Sequence, residues 1–162
     1  MKAVIEAAKE SFLQAKGRME RALASTPDDK LTWSPSPSSR NTLAIVAHSA
    51  SALHSITEML DGRPFGTPTT AEADKDFREW ENQFTTREAV AELFEKNSHK
   101  YLTFIDNLSE DRYGELVTLP FGLGQAPFFA CASAAANHTN DHCAQIDYLQ
   151  TIYGDQDWHI GR

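Results

Sequence analysis

His138 and His142 lie four residues apart in the stretch AANHTNDHCAQIDYLQ, residues 135–150. On an α-helix that spacing is one turn, so both imidazoles share a face and can converge on one point. Their surroundings are apolar and small, with FFACASAAA before the pair and CAQIDYL after it. Two buried neutral imidazoles lacking partners are costly, and a divalent cation is one partner that serves both. The competing outcome is a pair satisfied by hydrogen bonds or by solvent, because helical histidines at this spacing often bind nothing.

A third ligand has to come from a facing helix. His48 is the candidate, midway along an apolar segment where Ala44, Ala47 and Ala52 leave room for a site. Its alternative is a lone core histidine held by a backbone or side-chain partner. His54 is six residues further on, about 120° around the same helix, so it cannot face the same point. His99 and His159 fall in a charged helical surface and in the tail, and carry no such reading. Near the pair, Gln145 can orient a water or a ligand or simply face solvent. Asp141 can hydrogen-bond a ligand imidazole from outside. Cys131, seven residues before His138, reads as core.

Three neutral imidazoles would leave a divalent ion's charge uncompensated and a coordination position open, the arrangement of a catalytic rather than a closed structural zinc site. Such an ion can lower the pKa of water, polarise a carbonyl or activate a thiolate. No catalytic acid, base or nucleophile can be named from the residue pattern.

The elements that must position these side chains are helical. Ile5, Ala8, Phe12, Ala15, Met19 and Leu23 recur at three- and four-residue spacing, giving a first helix over residues 2–24. The stretch STPDDKLTWSPSPSSRN then leaves helical geometry, with Trp33 expected to anchor it. Asn41 or Thr42 can cap a second helix that Gly62 and Pro64 end. Residues 61–84 read as a partly helical excursion held by Phe77 and Trp80. Thr85 with Glu88 has capping-box spacing for a third helix running to about residue 107. Residues 109–125 read as a loop, its GLG a turn rather than a phosphate loop. Pro127 suits the first turn of a fourth helix, which Gly154 terminates. Four long amphipathic segments without a strand pattern imply an all-α four-helix bundle. The bundle domain is set at residues 1–154 and a surface tail at residues 155–162.

Composition narrows the function. With 162 residues and 41% hydrophobic content the chain suits one domain with a sizeable core. A net charge of −8 and no basic cluster argue against nucleic acid. No apolar run reaches the ~20 residues that span a bilayer, and charges occupy the N-terminal stretch where a signal peptide needs its apolar region. Together with two cysteines too far apart on one helix to bridge, this leads us to expect a cytoplasmic protein. Absence of Glu-x-x-His pairs, HExxH and GxSxG lowers di-iron, zincin and serine-hydrolase readings.

The segments LTWSPSPSSRNTLAIVAHSASALHSITEML, TLPFG and NHTNDHCAQIDYL together resemble the DinB-like superfamily, the DinB/YfiT-like metalloenzymes, over nearly the full chain. The resemblance implies an up-down-down-up four-helix bundle, frequently a homodimer. It also implies a divalent metal, zinc or nickel, held by His48, His138 and His142, the set already reached from the residues. Ser49 stands where the family commonly has leucine, which bears on packing rather than ligation. The implied function is a metal-dependent hydrolase or thiol-dependent transferase acting on a small molecule, with a low-molecular-weight thiol as a possible cosubstrate. The alternative is a non-enzymatic dimeric bundle whose metal is structural or absent.

Overall fold

A computed structural model describes residues 1–63, 66 and 69–160. Pro64, expected to help end the second helix, and the last two tail residues lie outside them. The apolar stripe from Ile5 to Leu23 buries one face of helix α1 (Lys2–Ser25). Asn41 caps α2 (Thr42–Leu60), its side chain accepting from the Ala44 amide at 2.9 Å. The excursion contains α3 (Thr70–Glu81), capped by Thr69. Helix α4 (Arg87–Asp106) follows, and the chain then forms a two-stranded antiparallel ribbon, β1 (Leu116–Thr118) with β2 (Gln125–Pro127). Helices α5 (Phe128–Cys131) and α6 (Ala134–Ile152) complete the order.

Side-chain contacts fix the helix directions. Cys143 lies against the Ala15 carbonyl and Gln150 donates to that of Ala22, so α1 and α6 run parallel. Lys16 pairs with Glu95 and Lys9 with Asp106, so α4 runs opposite to α1. Asn97 donates to the Ala50 carbonyl, and Arg112, just past α4, donates to that of Leu60 at the end of α2; these two helices are therefore parallel. The bundle of α1, α2, α4 and α6 is up-down-down-up. Because α2 and α4 point the same way, the chain between them must travel back along the bundle, and α3 covers about 18 Å of that return.

The core runs the length of the bundle through Phe12, Met19, Leu43, Leu53, Leu60, Phe94, Tyr101 and Ile146, all nearly excluded from solvent. Each such side chain contributes about 1.5–3 kcal/mol on burial. Phe12 and Tyr101 pack edge to face at 4.7 Å. Trp33, in the crossover after α1, stacks edge-on against Tyr153 at 5.9 Å. No helix among the described residues is long and apolar enough to cross a membrane.

Three local expectations need correction. The third long helix is capped by Thr86, whose hydroxyl accepts from the Ala89 amide, and not by Thr85. Thr86→Ala is therefore expected to cost about 1 kcal/mol in urea unfolding, while the exposed Thr85 tolerates alanine within about 0.5 kcal/mol. Residues 109–125 are not all loop, since β1 pairs with β2 through Val117↔Ala126 and buries Val117. The fourth helix does not run unbroken from Pro127. Helix α5 packs on the ribbon and on the turn at Glu110–Gly114, whereas α6 packs on α1 and α2. The chain breaks at residues 132–133 to serve both, and the Tyr101 hydroxyl donates to the Ala132 carbonyl there.

Candidate metal centre

Helix α2 brings His48 to the middle of the bundle among small side chains, and α6 brings His138 and His142 one turn apart against it. His48 lies 4.8 Å from His142 and 5.4 Å from His138 between ring centroids. The His138 and His142 Nε2 atoms are 3.3 Å apart. One nitrogen from each of the three rings falls within 4.8 Å of the others, the one such cluster of histidine, cysteine or acidic groups among the described residues. Two nitrogens bound at about 2.0–2.1 Å to one tetrahedral ion must lie about 3.3 Å apart, so the His138–His142 separation fits a shared ion.

Each of two rings has its outer nitrogen fixed. His142 Nδ1 donates to Gln145 Oε1 at 2.9 Å. His48 Nδ1 donates to Glu81 Oε1 at 2.7 Å. Glu81 is only 2% exposed, and its second oxygen accepts from Arg40 Nε at 2.7 Å. Burial pushes the Glu81 carboxyl upward, but the hydrogen bonds from His48 and Arg40 outweigh it and hold the group below the ordinary range. The ionised Glu81 can only accept, which places a proton on His48 Nδ1, so the neutral ring carries its lone pair on Nε2. Arg40 continues the chain of pairs to Asp74 at 2.8 Å, and Asp74 also accepts from Arg78 at 2.7 Å.

Burial, and then the neighbouring imidazoles, lower His138 to about 3. Burial, against the Gln145 hydrogen bond, lowers His142 to about 4. Both rings are thus neutral and able to ligate at physiological pH. The sign of the linked effect is fixed: the unfolded chain takes up these protons near 6.5, the folded chain only near 3 and 4. Stability of the metal-free protein is expected to be complete above that range and to fall as pH drops through it. Urea unfolding at about pH 7.5, 6 and 5 measures this. A His138→Ala/His142→Ala variant should lose most of the slope; an unchanged slope would place its source elsewhere.

The structure therefore brings together His48, His138 and His142 and leaves the other histidines apart. His54 and His99 are exposed, and His159 is bound to Asp155 at 2.9 Å. Asp141 is exposed, and the outer partner of His142 is Gln145 instead. Cys131 is buried core. Sequence reasoning missed Glu81 and Arg40. The available signal was an acid on an apolar stripe, since Glu81 follows Ala73 and Phe77 at four-residue intervals.

The sequence profile of the DinB superfamily matches residues 11–146. No curated protein sequence matches the chain. Among solved structures, a mycothiol-dependent maleylpyruvate isomerase superposes with a TM-score of 0.72 at 13% identity, over 88% of this chain. This chain spans only 60% of that protein's length. YfiT from Bacillus subtilis, described as a probable metal-dependent hydrolase with an unusual four-helix bundle topology, gives 0.71 at 12% identity over 93% of this chain and 87% of its own. YjoA, a DinB-like protein from Bacillus subtilis, gives 0.65 at 13% identity over 93% and 94%. Likeness at this level of identity establishes the shared bundle fold.

Proposed function

The chain belongs to the DinB superfamily, and on that premise we propose that it binds one divalent metal, zinc or nickel, through His48, His138 and His142 and acts as a metal-dependent enzyme on a small molecule. The observation that carries this reading is the 3.3 Å separation of two Nε2 atoms on rings that burial keeps neutral. When bound, the ion supplies Lewis acidity and an open position for a substrate donor. The protein's own part is to hold that position: Glu81 and Gln145 lock the rings of His48 and His142, and Arg40 keeps Glu81 ionised.

Two reaction classes suit this centre, hydrolysis and transfer that uses a low-molecular-weight thiol. The description of YfiT supports the first and the isomerase's dependence on mycothiol the second. The proposal includes residues 1–154 as the metal-binding domain with 155–162 appended, a homodimer, and a cytoplasmic setting. Sedimentation over micromolar concentrations tests the dimer, and a monomer throughout would remove it.

Metal content tests the core of the proposal. Untagged protein equilibrated with zinc, nickel or cobalt and then dialysed is expected to retain about one ion per chain. A chain that takes up none is the non-enzymatic bundle of the alternative reading. A loaded chain justifies assays of ester and amide hydrolysis beside assays of thiol transfer.

A further inference from the structure

A cavity of about 400 Å³ opens beside His48 and His138, within the range of small-molecule pockets. Its walls come from α2, α3 and the ribbon tip, with Ile56, Met59, Phe77, Pro120 and Phe121 providing apolar surface. Phe77 stands edge-on to the His48 ring at 5.0 Å, so this wall begins at the metal ligand itself. Among the described residues no lysine or arginine lines the cavity. Asp74, the one acidic residue among the described lining, has its oxygens taken by Arg40 and Arg78. Charge in a ligand would therefore meet no free counter-charge away from the metal position.

The ribbon tip carries a second observation. Phe121 holds φ 57° and ψ 25°, in the left-handed region. A bulky residue is an outlier there, and the next residue, Gly122 at φ 72°, is the type that suits it. The strained residue is the one whose ring lines the cavity, and strain of this kind collects at ligand-holding positions.

We propose that this cavity recognises a small, uncharged, largely apolar ligand that meets the three-histidine site through a single donor atom, with Phe121 as part of the recognising wall. The proposal rests on the metal reading above and adds the substrate class. An anionic or zwitterionic ligand would have to leave its charged end in solvent.

The visible absorption of cobalt-loaded protein reports ligands entering the metal's open position. Titration with imidazole, 4-phenylimidazole and imidazole-4-acetate compares one donor carrying no extension, an apolar extension and an anionic one. Burial of the phenyl ring is expected to tighten binding about 10- to 100-fold over imidazole. The acetate should bind no tighter than imidazole. Phe121→Ala, at an exposed position, is expected to erase most of the phenyl preference, read as the ratio of 4-phenylimidazole to imidazole affinity in the same variant.

Failure of the two readings looks different. A chain that takes up no cobalt fails the metal reading, and this inference with it. A chain with an intact cobalt spectrum that binds the three ligands alike, or prefers the acetate, overturns this inference alone. A preference that survives Phe121→Ala removes that ring from the recognising wall.

Discussion

His142→Ala is expected to lower retained metal from about one ion per chain to less than about a tenth of that after dialysis, with the helical content unchanged. The ring is one of a pair held by a single helix turn, its Nε2 3.3 Å from that of His138 and its Nδ1 fixed by Gln145. Removing it leaves two ligands on separate helices, and a site with two protein donors holds a divalent ion weakly. The loss in affinity should exceed the about 10- to 100-fold that follows removal of an outer hydrogen-bond partner. His48→Ala and His138→Ala are expected to behave alike, because the three nitrogens define one position.

Thermal unfolding gives the same prediction a second readout. An ion that binds only the folded chain stabilises it by about 2.7 kcal/mol when present at 100 times its dissociation constant. The parent protein should therefore melt higher with metal, and the three variants should not. In the absence of metal, His142→Ala is expected to melt somewhat lower than the parent, because it removes a buried ring together with its contacts to Gln145 and His138, so only the metal-dependent shift reports the site. Unchanged stoichiometry in all three variants would refute the site.

How much of this site could be read without coordinates follows from the range of the signals. The His138–His142 pair is a local pattern, one turn of one helix, and His48 was visible because alanines surround it at helical spacing. The four long helices were legible for the same reason, as stripes such as Ile5, Phe12 and Met19. The break at residues 132–133 was not, since ACASAAA has no glycine or proline and the cause lies in what α5 and α6 pack against. The ribbon escaped notice because each strand is three residues long, too short for alternation to stand out. Glu81 lies 33 positions from the imidazole it holds, and only the path of α3 back along the bundle brings the two together. Local periodicity thus reports the ligands, whereas the groups that orient them depend on tertiary placement.

Glu81→Gln tests that orienting layer and is expected to weaken metal binding about 10- to 100-fold while leaving His48, His138 and His142 in place. The glutamine has one acceptor oxygen where the carboxylate has two, so it cannot serve both His48 Nδ1 and Arg40 Nε. Its amide group also removes the negative charge that balances Arg40 within a buried pair. Loss of one partner from a buried pair costs about 3–5 kcal/mol, and because Arg40 keeps Asp74 the lower end is expected here. Acidification should act on the parent in the same direction. The Glu81 carboxyl is held below its ordinary range, so its contribution is complete above that range and is lost as pH falls through the folded value. Asp74→Asn separates orientation from general destabilisation, since Asp74 pairs with Arg40 and Arg78 but with no imidazole. It is expected to lower stability with less than about a threefold change in metal affinity, set against the 10- to 100-fold of an outer partner that holds a ligand. Equal losses of affinity in the two variants would mean that Glu81 acts through the fold and not through the His48 ring.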